Sequence, residues 1–204
     1  MMETKQPNSA SFDKNQSIQV IREMIQVSQK KLKNNGILFI LWGWLMFYNY
    51  ISNFILEKVI ITQQLKKLFE YFGNVVGILA VTFSIYYIIK QHKKVQTYIG
   101  ISLRYVWISL FLCLSLTNMI IFNTIHTVNF ELQHPIFMVF IAFATVVTGG
   151  IMRYKLIIFG GIIFGILAYV CSYFKLQEQM LFEAAAWLIA FIIPGHILYF
   201  TRKS

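Results

Sequence analysis

Few residues in this chain combine a reactive type with surroundings that would give it a task. Glu70 and Glu183 each follow Leu-Phe at the edge of an apolar run. An ionisable group at membrane depth is a candidate binding or transfer site, because keeping it there is costly. Asn118 and Asn123, with Thr117 beside them, form the most polar cluster inside an apolar run. Amides there either tie helices together, at about 0.5–2 kcal/mol each, or contact a substrate. Arg104 and Arg153 are each followed by Tyr, a pairing that suits the headgroup layer, where long cations snorkel and tyrosines sit at the boundary. Glu70, Glu183, Asn118, Asn123 and Arg104 are therefore the candidates for a polar pocket, with interfacial anchoring and helix contact as the competing readings.

The remaining reactive residues narrow the chemistry. Asp13 is the only aspartate and lies in a polar stretch, so no apolar run holds a carboxylate pair for acid–base work. There is no Gly-x-Ser-x-Gly, no His-Glu-x-x-His and no phosphate-cradling loop. His92, His126, His134 and His196 are scattered, and a metal ion would need them to converge with further ligands. Cys113 and Cys171 lie in apolar runs and read as small hydrophobes, not as a disulfide framework. No catalytic activity, cofactor or metal is expected.

The elements that must position these residues are dictated by hydropathy. Of the 204 residues, 57% are hydrophobic and 13% charged, with mean hydropathy +0.62. Soluble domains average about 45–50% and about 25%. The apolar residues gather into runs at about 36–56, 68–89, 103–125, 135–151, 156–174 and 180–200. Each approaches the roughly 17–25 residues that cross a bilayer as a helix. The runs are continuously apolar, whereas barrel strands alternate. The expected fold is an all-α, polytopic bundle of about six transmembrane helices forming one domain, 35–204. Pro135 is expected to open the fourth span, because proline suits a first helical turn. Pro194-Gly195-His196 should loosen the sixth.

Ahead of the spans, residues 1–16 are polar and read as a disordered tail. Across 17–34, Ile18, Ile21, Ile25 and Leu32 recur at helical spacing, opposite Arg22, Gln26, Lys30 and Lys33. This predicts an amphipathic helix, ending at Asn34-Asn35-Gly36, that lies on anionic inner-leaflet lipid or packs on a partner. The stretch lacks a signal-peptide pattern, so the first span is expected to stay as an anchor.

The net charge of +10 is distributed as membrane proteins distribute it, which argues against nucleic acid as the partner. Lys5, Lys14, Arg22, Lys30, Lys31 and Lys33 precede span 1. Lys90, Lys93, Lys94 and Arg104 surround the 2–3 connection, Arg153 and Lys155 the 4–5 connection, and Arg202 and Lys203 follow span 6. The alternate connections hold only Lys58, Lys66, Lys67 and Lys175. The positive-inside rule then places both termini in the cytoplasm.

Spans 2 and 5 share a pattern of small residues. Gly73, Gly77, Ala80 and Ser84 have the same spacing as Gly161, Gly165, Ala168 and Ser172, and both sets contain Gly-Ile-Leu-Ala. Either set forms one helical stripe that would let another helix approach closely. Chance within a narrow alphabet explains the match. So does a 3+3 duplication, whose halves would be inverted as in many secondary transporters.

Ile21-Arg22-Glu23-Met24-Ile25, the break at Asn35-Gly36, Leu41-Trp42-Gly43-Trp44-Leu45, Gly149-Gly150-Ile151 and Ile193-Pro194-Gly195 together resemble an uncharacterised family of small bacterial six-span membrane proteins. The resemblance implies the same architecture in the bacterial inner membrane and carries no activity. The expected role is non-enzymatic, a scaffold or regulatory partner acting through contacts within the bilayer, as a homo-oligomer or with another membrane protein. A small oligomeric transporter or channel built on the inverted repeat is the alternative.

Overall fold

The computed structural model describes residues 36–58, 63–92 and 98–200, together with Ile18, Gln19 and Glu23. Every regular element among the described residues is helical. These are α1 (Gly36–Lys58), α2 (Gln63–His92), α3 (Tyr98–Ile125), α4 (Phe130–Met152), α5 (Lys155–Cys171), α6 (Leu176–Trp187) and α7 (Ile193–Phe200). A π-helical turn, Leu188–Ile192, joins α6 to α7, so that Leu176–Phe200 runs on as one rod. The polar tail and most of the amphipathic segment expected at 17–34 lie outside the described residues. Of that segment, Ile18, Gln19 and Glu23 are helical, and Gln19 Nε2 donates to Glu23 Oε1 at 3.4 Å.

Helices α1, α2, α3 and α4 and the rod Leu176–Phe200 contain stretches long and apolar enough to cross a membrane, and α5 is a shorter apolar helix of 17 residues. The chain is thus an all-helical, multi-pass membrane protein. The backbone supplies its own hydrogen bonds in such helices, as lipid requires.

Local hydrogen bonds set both ends of α4. Helix α4 starts at Phe130, not at Pro135, because Asn129 caps it: the Asn129 side chain accepts the Leu132 N–H at 3.1 Å, and Glu131 sits in the first turn. Pro135 therefore lies inside the helix. At its other end α4 closes with Arg153 in the left-handed region (φ 50°). The Tyr154 N–H reaches Gly149 O at 2.9 Å and the Arg153 N–H reaches Gly150 O at 3.1 Å. This is a Schellman closure, and it folds α5 directly back on α4. Gly149 permits the reversal, since a Cβ there would meet Ile158 N at 2.7 Å.

Helix α5 is wedged between α4 and the last rod. Its paired glycines face different neighbours, because successive helical residues point about 100° apart. A Cβ on Gly161 would meet Val146 Cγ2 of α4 at 2.7 Å, whereas one on Gly160 would meet Ala190 Cα of the π turn at 2.9 Å. Helix α1 lies along the same rod. Cβ atoms on Gly43 and Gly195 would meet Ile192 Cγ1 at 2.8 Å and Ile40 Cγ1 at 2.9 Å. Small residues at these crossings bring the helices close enough for dispersion to hold them, which matters in lipid because apolar burial there drives little association.

The π turn directly precedes Pro194. An ordinary α-turn would press the proline ring against the carbonyl four residues back, and a wider turn relieves that clash. It also carries Phe191 into the middle of the bundle. The Phe191 ring lies 5.4 Å from Phe39 of α1, 6.2 Å from Trp107 of α3, 6.3 Å from Phe164 of α5 and 4.3 Å from Trp187. Packing thins towards the N-terminal helices. In the apolar stretch of the last rod 56% of residues are buried, against 6% in α3. Helix α2 packs extensively on α1 alone, and α2 and α3 share no extensive contact.

Candidate functional site

The polar cluster of the bundle begins with Pro135. Proline has no N–H, so the Glu131 carbonyl loses its helical donor. Gln179 of α6 replaces it, with Nε2 donating to Glu131 O at 3.0 Å and to Phe174 O at 2.9 Å. Both partners are carbonyls, which fixes the orientation of the amide. Its Oε1 is thereby turned away, buried and without a hydrogen-bond donor. Gln179 thus joins the start of α4 to the α5–α6 connection, and Glu131 Oε1 adds a long contact to Leu176 N at 3.5 Å.

One turn further along α6, Glu183 is only 2% exposed, and its Oε1 lies 2.7 Å from His134 Nδ1 of α4. The His134 ring sits between Tyr50 of α1 and Phe130, at 6.0 Å and 6.4 Å between centroids. The Tyr50 hydroxyl also faces the Glu183 carboxylate, though Glu183 Oε2 accepts no hydrogen bond. Cys171, fully buried at the end of α5, has its sulfur 3.9 Å from Gln179 O. Four helices therefore meet at a buried polar centre near the 126–129 and 172–175 connections.

The other pocket candidates lie elsewhere. Asn118 and Asn123 are on the exposed side of α3, and neither side chain has a hydrogen-bond partner among the described residues. Arg104, at the opposite end of α3 from Asn123, donates from Nε to Gly100 O at 3.3 Å. Glu70 belongs to α2, but its side chain lies outside what the structure describes.

The two small-residue stripes have different surroundings. In α5, Gly161 and Gly165 pack on α4, the latter with its Cβ position 3.5 Å from Ala142 Cβ, and Ala168 is buried. Ser172 lies beyond the helix, exposed, with Oγ donating to Tyr169 O at 2.7 Å. In α2, Ala80 and Ser84 are buried, and Trp42 Nε1 of α1 donates to Ser84 Oγ at 3.2 Å. Gly73 and Gly77, by contrast, have nothing within 4 Å of where a Cβ would be. There α1 and α2 part into open hollows. One of about 250 Å³ is lined by Tyr48, Asn49, Ser52, Asn53, Gly73 and Asn74. The next, of about 450 Å³, continues along Trp42, Met46, Gly77, Ile78 and Val81.

Sequence reading singled out Glu183 but not its neighbours. Gln179 and Glu183, four apart where the last apolar run begins, were a signal for a shared inward face. His134 was obscured by its position before Pro135, where a helix start was expected. The amides of the α1–α2 groove, Asn49, Asn53 and Asn74, were the other omission. Among the described residues no group of three or more His, Cys, Asp and Glu side chains could hold a metal ion. No family model, no curated protein and no solved structure matches the chain.

Proposed function

We propose that this protein is a non-enzymatic, six-span component of the bacterial inner membrane that acts by holding another membrane-embedded helix, as a scaffold or regulatory partner. The observation that carries this reading is the open groove between α1 and α2. Its floor is glycine, at Gly73 and Gly77, where nothing fills the space a side chain would take. Its rim offers Asn49, Asn53 and Asn74, of which Asn53 Nδ2 already donates to Asn49 Oδ1 at 3.0 Å. Small residues beside amides are what transmembrane helices use to associate. Helix α2 packs extensively on α1 alone, so the groove between them lies at the border of the bundle, which favours contact over a transport pathway along the bundle axis.

In this reading α5 crosses the bilayer as the fifth span. The loop charges favour the 126–129 and 172–175 connections outside, and both termini with Arg153 and Lys155 inside. The amphipathic segment at 17–34 rests on anionic inner-leaflet lipid, and the inner-membrane location follows from the resemblance set out above. The occupant of the groove is a second copy or another membrane protein.

A photo-crosslinking residue at Ile78, which lines the groove, tests this against one at Phe143, exposed on α4. The expected result is a discrete protein adduct from position 78, abolished by Gly77→Leu, and lipid adducts alone from position 143. Lipid adducts alone from both positions would count against the reading.

A further inference from the structure

The buried centre of Glu183, His134 and Gln179 has a consequence separate from the groove. We propose that Glu183 and His134 form a proton-binding site, loaded from the aqueous face next to the 126–129 and 172–175 connections.

Charge arithmetic is the first support. Glu183 is 2% exposed and its nearest basic group is His134, 2.7 Å away. With one proton between them the pair is neutral overall, whichever partner carries it. With none it is a bare buried carboxylate, and with two it is a buried cation. Either charged state is expensive at low dielectric, so proton number at this pair is tied to how the surrounding helices pack. No other described cation makes an ion pair with Glu183: the groups facing it are the Tyr50 hydroxyl of α1, the Cys171 thiol of α5 and the Gln179 amide. On α4, Glu131 is occupied by Leu176 N.

Orphaned acceptors are the second support. Glu183 Oε2 and Gln179 Oε1 are both buried without a donor. They project from the same face of α6, one turn apart, where side chains four residues apart become neighbours. Rotating the Gln179 amide cannot help, since its nitrogen is held by Glu131 O and Phe174 O. Both acceptors lack a hydrogen bond, although the Tyr50 hydroxyl lies beside the carboxylate. A proton on Oε2 is the smallest guest that supplies one, turning one acceptor into a donor.

The route is the third. His134 keeps 20% of its side chain exposed while Glu183 keeps 2%. Nδ1 is turned to Glu183, which leaves Nε2 as the nitrogen able to exchange with water. A proton arriving at Nε2 allows the Nδ1 proton to pass to Glu183 Oε1, a half-turn of the carboxyl group carries that proton to the Oε2 position, and the reverse sequence returns it. No oxidant, metal or leaving group is involved.

Infrared pH-difference spectroscopy on the full chain in lipid nanodiscs tests this. The wild type is expected to show a carboxyl/carboxylate difference band that disappears in Glu183→Gln and persists in Glu131→Gln and Glu178→Gln. His134→Gln can still donate to Oε1 but has no exchangeable second nitrogen, so it should move the midpoint of the Glu183 band and slow its exchange in D2O. A Glu183→Gln spectrum superimposable on wild type overturns the proposal. So does a His134→Gln band unchanged in both midpoint and exchange rate, a result that stands even if Glu183→Gln fails to assemble. The groove reading is untouched by either outcome, because neither residue lines the groove.

Discussion

At Pro135 the backbone withholds a donor from the Glu131 carbonyl, and the amide of Gln179 supplies it from another helix. Leaving a buried carbonyl unpaired costs about 1–3 kcal/mol, so Gln179→Leu should lower the stability of the folded chain by roughly that amount for each carbonyl it abandons. Pro135→Ala restores an N–H to α4. It should reduce the cost of Gln179→Leu, because Glu131 O regains a helical partner. Steric-trap unfolding of the two single variants and the double variant in bicelles checks this, with a positive coupling of about 1 kcal/mol expected and additivity as the contrary result. Glu183 was legible in the sequence because a lone carboxylate at the edge of an apolar run stands out. His134 and Tyr50 were not, because their roles depend on which helices are neighbours, and apolar run lengths say nothing about that.

The same limit governs the elements. The ends of the apolar runs fall within about five residues of the ends of the long apolar helices among the described residues, yet identical Gly-Ile-Leu-Ala strings in α2 and α5 have different fates. Spacing defines a stripe on a helix but not what the stripe faces. In α5 the stripe meets Ala142 and Val146, while in α2 its first half opens onto a groove. Gly43, Gly160 and Gly195, placed about as tightly as Gly161, belong to neither stripe. Gly43→Ala would place a methyl 2.8 Å from Ile192 Cγ1 and 3.1 Å from Ile192 N. Its expected cost is about 1–3 kcal/mol, as for overpacked cores. Gly73→Ala meets nothing and removes a flexible residue from a helix interior, so it should stabilise α2 by up to about 1 kcal/mol. Thermal unfolding of both variants in one detergent tests the contrast, and equal losses would contradict it. Truncating Phe191 removes the ring at which α1, α3, α5 and the last rod meet. Phe191→Ala should cost on the order of 2–3 kcal/mol. That is below the 3–5 typical of soluble cores, because helices separated in lipid do not expose the ring to water.

For the molecule as a whole, the packing and the proposed topology divide the chain in the same way. Helices α4 and α5 and the last rod form a tightly interlocked unit, α1 and α3 pack against it, α2 lies outside on α1, and α2 and α3 present wide apolar faces. Such a plan leaves the first half free for contacts and concentrates the buried polar centre in the second. It also rests on α5 crossing the bilayer with only 17 residues. These give about 25 Å of rise against a hydrocarbon thickness of about 30 Å, and local thinning of the bilayer or snorkelling at Lys155 accommodates the difference. The charge alternation read from the sequence requires the crossing, since otherwise the Arg153 and Lys175 connections would share a side. Cysteine accessibility in intact cells decides the matter, using Thr127→Cys, Tyr154→Cys and Tyr173→Cys in a chain whose own Cys113 and Cys171 have been replaced by alanine. A membrane-impermeant maleimide should label positions 127 and 173 from outside and reach 154 only after permeabilisation. Labelling of 154 together with 173 from the same side would mean that α5 does not cross, and would contradict the six-span arrangement on which the proposed function rests.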